Sequence, residues 1–119
     1  LEVVVLAGQY NLTIDQGAHF ERLMTITNPD GTVFDLTDFT ARMQIRTEID
    51  ADDVMCELTT ENGRIELGGD EGTVRLTIPS DITETFDDEG VYDLELIDSE
   101  SRVYRLLKGK VRVELEVTR

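Results

Sequence analysis

Tryptophan is absent from this chain, cysteine and histidine occur once each, proline twice and serine three times. Each shortage closes off a class of function. A single cysteine, Cys56, makes no intrachain disulfide and no multi-cysteine zinc site. The single histidine, His19, precedes Phe20 near the start of a strand pattern. A nucleophilic triad needs it aligned with a serine and an acid, and none of Ser80, Ser99 and Ser101 stands in a G-x-S-x-G elbow. A surface or packing role is therefore expected for His19, and a core role for Cys56. Paired carboxylates that cleave sugars work in a cleft lined with aromatics, which a Trp-free chain of 119 residues is poorly furnished to build. No apolar run approaches the ~20 residues that span a bilayer. Residues 1–7 are too short for a secretory signal, and their only charge is the acid Glu2.

Bases are scarce as well. Eleven Lys and Arg face 26 Asp and Glu, for a net charge of −15. That balance opposes non-specific nucleic-acid binding, which rests on cations replacing condensed counterions. It equally opposes adhesion to an anionic membrane. It favours solubility and cationic partners. The acidic runs at 50–53, 70–71 and 87–89 supply oxygen ligands of the kind Ca²⁺ uses, but none follows the twelve-residue calcium-loop pattern. They are expected to be solvated loops. No catalytic residue, cofactor or metal site, nucleic-acid partner or membrane association is expected.

What the chain does have is period-two alternation. In residues 90–117, Tyr92, Leu94 and Leu96 fall on one face and Asp93 and Glu95 on the other. Val111, Val113, Leu115 and Val117 alternate with charged residues in the same way. Asp98-Ser99-Glu100-Ser101 reads as a turn of residues that bond their own backbone. Gly109 reads as a second turn, since glycine tolerates positive φ. The middle piece, with adjacent Val103-Tyr104 and Leu106-Leu107, is expected to be covered on both faces or to carry a bulge. Residues 39–46 alternate cleanly, as do 73–78, and Val54, Cys56 and Leu58 predict another strand. Asn28-Pro29-Asp30-Gly31 is a strong turn signal, and Asn62-Gly63 predicts a two-residue hairpin. Residues 80–86 are the one helical turn expected, with Ser80 as its cap and Ile82 and Phe86 on one side. The few bases, including Arg42, Arg46, Arg75, Arg102 and Arg105, are expected in cross-strand ion pairs.

Eight or nine short strands with turns about every ten residues predict a single all-β domain, an antiparallel sandwich or barrel, over residues 9–119. Residues 1–8 are an N-terminal arm or edge strand. Val3, Val4, Val5 and Leu6 are its apolar part and a candidate partner contact, because an extended arm pairs with open strand edges.

Four stretches carry a family resemblance: I-D-Q-G-A-H-F (14–20), D-L-T-D-F-T-A-R-M-Q-I-R (35–46), G-T-V-R-L-T-I-P (72–79), and V-Y-D-L-E-L-I-D-S with R-L-L-K-G-K-V-R-V (91–99 and 105–113). Together they resemble small β-sandwich virion proteins of tailed bacteriophages, including the immunoglobulin-like N-terminal domain of baseplate upper proteins. The resemblance implies an all-β antiparallel β-sandwich of Ig-like shape and a non-enzymatic assembly part of the tail, baseplate or fibre adaptor. It would be a homo-oligomer in the virion, assembled in the bacterial host cytoplasm through contacts with other virion proteins. A capsid decoration protein is the alternative, and a carbohydrate- or receptor-binding module using Tyr10, Phe34 and Tyr104 is another. On this reading the outward residues Asp93, Glu95, Arg105 and Arg112 become candidate contacts with a virion neighbour.

Overall fold

A computed structural model of the chain describes residues 2–5, as backbone, and residues 8–118. Ten strands form two sheets. In chain order they are β1 (Glu2–Val5), β2 (Gly8–Gln9), β3 (Leu12–Asp15), β4 (Phe20–Thr27), β5 (Thr40–Arg46), β6 (Cys56–Thr59), β7 (Ile65–Leu67), β8 (Thr73–Ile78), β9 (Gly90–Ile97) and β10 (Val103–Glu114). The smaller sheet runs β1-β4-β8-β7. The larger runs β2-β10-β9-β5-β6, with β3 pairing farther along β10. Setting β1-β4-β8-β7 against β10-β9-β5-β6 is the strand order of an immunoglobulin sandwich with its extra variable-type strand. The expected all-β sandwich is thus present.

The alternation explains the core. Leu12 and Ile14 of β3, Met24 and Ile26 of β4, Met43 and Ile45 of β5, Val74, Leu76 and Ile78 of β8, and Tyr92, Leu94 and Leu96 of β9 all point inward and are buried. Between β8 and β9 a short helix, α1 (Ser80–Thr83), closes one end. Phe86 is buried beneath it, and Ile82 packs against the core. The buried Thr83 donates its hydroxyl to the carbonyl of Ala18 (2.8 Å), and Gln16 donates its side-chain amide to the carbonyl of Phe86 (2.8 Å). Ser80 is the first helical residue and makes no capping bond; the N-cap position belongs to Pro79, whose fixed φ of −69° leads the chain in.

The N-terminal strands depart from the antiparallel expectation. β1 pairs parallel to β4, and β2 and β3 pair parallel to β10. All other ladders are antiparallel. Residues 2–5 form an edge strand within the fold. Leu6 lies outside the described residues, as do the side chains of Val3, Val4 and Val5.

Gly109 is not a turn. β10 runs unbroken for 12 residues through it. A Cβ at this position would overlap the backbone carbonyl of Tyr10, so glycine serves a close backbone approach here. The expected bulge is present between Arg105 and Leu107, and it turns both Leu106 and Leu107 inward. β10 ends at Glu114, before the alternation does. Leu115 and Val117, read as inward residues, are 67% and 91% exposed because no strand lies opposite them.

Asn62-Gly63 makes no hairpin either. β6 pairs with β5 in the larger sheet, whereas β7 pairs with β8 in the smaller one. The turn carries the chain across the sandwich. Only Gly63 has positive φ (79°), where a primed two-residue turn of the Asn-Gly type needs two such residues. Asn62 instead accepts hydrogen bonds from the backbone N–H of Thr59 (2.9 Å) and Arg64 (3.0 Å). Val54 is exposed because its strand begins only at Cys56.

Candidate functional site

The outward side of β5, β9 and β10 is a continuous sheet face, and the strand register orders it into four cross-strand rows. The first row is Thr40–Ile97–Val103. Next come Arg42–Glu95–Arg105 and Gln44–Asp93–Lys108. The last is Arg46–Val91–Lys110. Arg112 and Glu114 continue the same face along β10. Six bases (Arg42, Arg46, Arg105, Lys108, Lys110 and Arg112) meet only three acids (Asp93, Glu95 and Glu114) on these strands. On a chain with 26 acids and 11 bases, this is a local inversion of charge.

The face is not uniform. Its middle is ionically satisfied: Arg42 Nε lies 2.9 Å from Glu95 Oε1, and Arg105 Nη2 lies 3.6 Å from Asp93 Oδ2. Gln44 donates to Glu57 Oε2 on the edge strand β6 (3.0 Å). The end toward residue 91 differs. The guanidinium of Arg46 is spent on neutral acceptors, the carbonyls of Ala51 (2.7 Å) and Asp52 (3.2 Å) and Oε1 of Gln44 (2.8 Å). Lys108 and Lys110 are exposed and have no ion pair among the described residues. Val91 forms an apolar floor between Arg46 and Lys110. Ile49, 90% exposed, stands at the rim. Together these residues line an open concavity of ≈ 580 Å³.

Asp93, Glu95 and Arg105, expected from sequence as outward contacts, are brought together on this face. Arg112 lies farther along β10, bonded to Glu114 (3.1 Å), beside a second concavity lined by Asp87, Asp88 and Glu89. Val3, Val4 and Val5 belong to β1, in the other sheet. Sequence reasoning missed Lys108, Lys110 and Val91, and it expected Arg46 in a cross-strand ion pair, whereas Arg46 bonds only neutral acceptors among the described residues. The signal was there: Lys108, Lys110 and Arg112 alternate with Gly109, Val111 and Val113, and taking Gly109 as a turn hid it. Of the expected cross-strand pairs, Arg42, Arg75 (to Glu21) and Arg105 make one. Arg102 instead bonds Asp98 in its own turn (2.7 Å).

His19 is exposed, 3.5 Å from Glu21. Cys56 is buried, and burial pushes its thiol above the usual range. Arg64, eight residues on and out of sight in the sequence, brings Nη1 to 3.8 Å from the sulfur and offsets only part of that. A protonated, buried thiol is a poor nucleophile. Among the described residues no three of His, Cys, Asp or Glu converge as a metal cluster.

The three exposed-aromatic candidates separate. Tyr10 is partly buried: Arg22 lies over its ring (5.9 Å to the centroid) and donates to its hydroxyl (2.7 Å). Tyr92 donates its hydroxyl to the Tyr10 carbonyl (2.5 Å), and burial raises the Tyr92 phenol far above its ordinary pKa. Tyr10 is thus a clamp on the N-terminal strands. Phe34 and Tyr104 both touch Phe39, at centroid distances of 5.9 and 6.4 Å, and Tyr104 is 45% exposed. No family model matches this chain, and no curated protein sequence is significantly similar to it.

Proposed function

We propose that this chain is a non-enzymatic structural protein of a tailed-bacteriophage virion. It acts as a tail, baseplate or fibre-adaptor component through protein–protein contacts, in several symmetric copies. The stretches that resemble such proteins supply β5, β8, β9 and most of β10, which together carry a large part of the core. The observation that carries the reading is the outer face of the larger sheet: a continuous strand surface with two lysines unpaired among the described residues, on a scaffold whose thiol is buried. A surface of that kind suits docking rather than turnover, because charge placed on rigid strands sets orientation and partner choice. Quantitative mass spectrometry of purified particles that encode this chain tests it. A few to a few dozen copies per particle are expected. Hundreds of copies would instead indicate a capsid decoration protein, and absence from the particle would overturn the virion reading.

One observation favours a second reading, a carbohydrate- or receptor-binding module. Tyr104, Phe39 and Phe34 form an aromatic group in which Tyr104 is 45% exposed, and sugars stack their C–H groups on the faces of exposed aromatic rings. Binding on a glycan array that is lost with Tyr104→Ala would support it.

A further inference from the structure

We propose that the cationic end of the outer face, Lys108 and Lys110 around the concavity over Val91, docks the acidic segment 81–89 of a second copy of this chain. The inference rests on the assembly reading and adds to it the partner and the contact.

Three observations carry it. The first is the state of the lysines. Asp93 faces Lys108 across the ladder but is bonded to Arg105, and Val91 faces Lys110, so among the described residues neither ammonium group has a carboxylate partner. They sit beside an open concavity that Val91 and Ile49 line together with Arg46, and whose two carboxylates, Asp93 and Glu95, are already paired to Arg105 and Arg42. A docked chain can therefore bury apolar surface and pair charge at once.

The second is the state of segment 81–89. Asp81, Glu84, Asp87, Asp88 and Glu89 give it five carboxylates and no base in nine residues. All five are exposed, and none is in an ion pair among the described residues. The segment is also firmly held: Thr83 and Phe86 are buried, and Thr83 and Gln16 tie it to the body. A rigid acidic surface loses little freedom on docking.

The third is the charge of the whole chain. With most of the bases gathered on one face, the rest of the surface is strongly anionic. A second copy is then the complement that the sequence itself provides. The segment leads directly into β9 of its own copy, yet makes no pair with its own lysines. The contact joins two different patches, so it is heterologous and generates rings or linear chains of copies.

The test uses the full chain and a charge complementation between two variants. One variant is Lys108→Ala with Lys110→Glu; alanine at 108 avoids setting a carboxylate against Asp93. The other is Asp87→Lys with Asp88→Lys. Sedimentation and native mass spectrometry are run at about 100 μM protein in ~20 mM and ~500 mM salt, which bracket weak and strong screening. The parent chain should self-associate at low salt and dissociate at high salt. Each variant alone should associate at least about tenfold more weakly, with unchanged thermal unfolding. Mixed together, they should regain association, because each supplies the intact patch that the other lacks and the reversed charges at 110 and at 87–88 attract rather than repel. A parent that stays monomeric at low salt overturns the inference, and so does association that neither variant weakens, or a mixture that does not pair. Because copy number in particles is measured separately, a virion protein whose variants still associate would sink this contact and leave the assembly reading standing.

Discussion

The two faces of β5, β9 and β10 share one backbone and have opposite chemistry. Inward, Met43, Ile45, Tyr92, Leu94, Leu96, Leu106, Leu107 and Val111 are buried. Outward, the same strands carry ion pairs, two lysines unpaired among the described residues and an open concavity. Burial of apolar area is worth roughly 25 cal/mol per Å², whereas an exposed ion pair is worth about 0–1 kcal/mol. The inner face therefore holds the fold, and the outer face is free to be shaped by a partner at little cost to stability. Substitutions on the two faces should separate cleanly by size of effect.

The largest effect is expected at Leu94, in the centre of the inner face. It is fully buried between Met43 of β5 and Leu107 of β10. Leu94→Ala should cost about 2–5 kcal/mol in urea unfolding, from lost transfer energy plus the cavity left behind. A change under about 1 kcal/mol would mean that the inner face does not carry the stability assigned to it.

Gly109 tests the seam where the N-terminal strands meet β10. Gly109→Ala should destabilise by about 1–3 kcal/mol, since the new methyl group meets backbone rather than a movable side chain. Amide exchange of residues 8–15 should speed up more than that of β5 or β9. Equal acceleration everywhere would show that the close approach to Tyr10 is not local. A smaller loss is expected from Tyr92→Phe, which keeps the ring and removes the hydrogen bond to the Tyr10 carbonyl. About 0.5–1.5 kcal/mol is the expected cost in the same assay, and an unchanged midpoint would show that this bond does not anchor the seam.

These two sites also mark how far the sequence could be read. Alternation made the inward residues of β5, β8 and β9 legible, because a half-buried strand imposes period two on its side chains. Nothing local distinguishes a glycine that bends the chain from one that another backbone must approach, so Gly109 was misread and β10 was cut short. Asn62-Gly63 failed for a similar reason. The pair has the chemistry of a hairpin, but the two strands it joins belong to different sheets, and sheet membership is decided by residues far away in sequence. The same distance hid Arg64 beside Cys56. On the outer face, Asp93, Glu95 and Arg105 were legible as outward residues. That two lysines would lack a partner was not, because it depends on which carboxylate Arg105 takes across β9.

That choice of partner sets the smallest effect. Arg42 and Glu95 are paired at 2.9 Å with the arginine about half exposed. A double-mutant cycle with Arg42→Ala and Glu95→Ala should give a coupling of about 0.2–1 kcal/mol at low salt. The coupling should shrink toward zero as salt rises, because solvent-exposed charges are screened over a Debye length of roughly 3 Å at 1 M. A coupling of several kcal/mol that survived high salt would mean that the middle of the outer face is a structural network. The division between a stabilising inner side and a free outer side would then fail where the face is most ordered. A small, salt-sensitive coupling would leave Arg42 and Glu95 free to exchange their mutual bond for bonds to a docked partner, which is what an interaction face requires of its paired charges as well as of its unpaired ones.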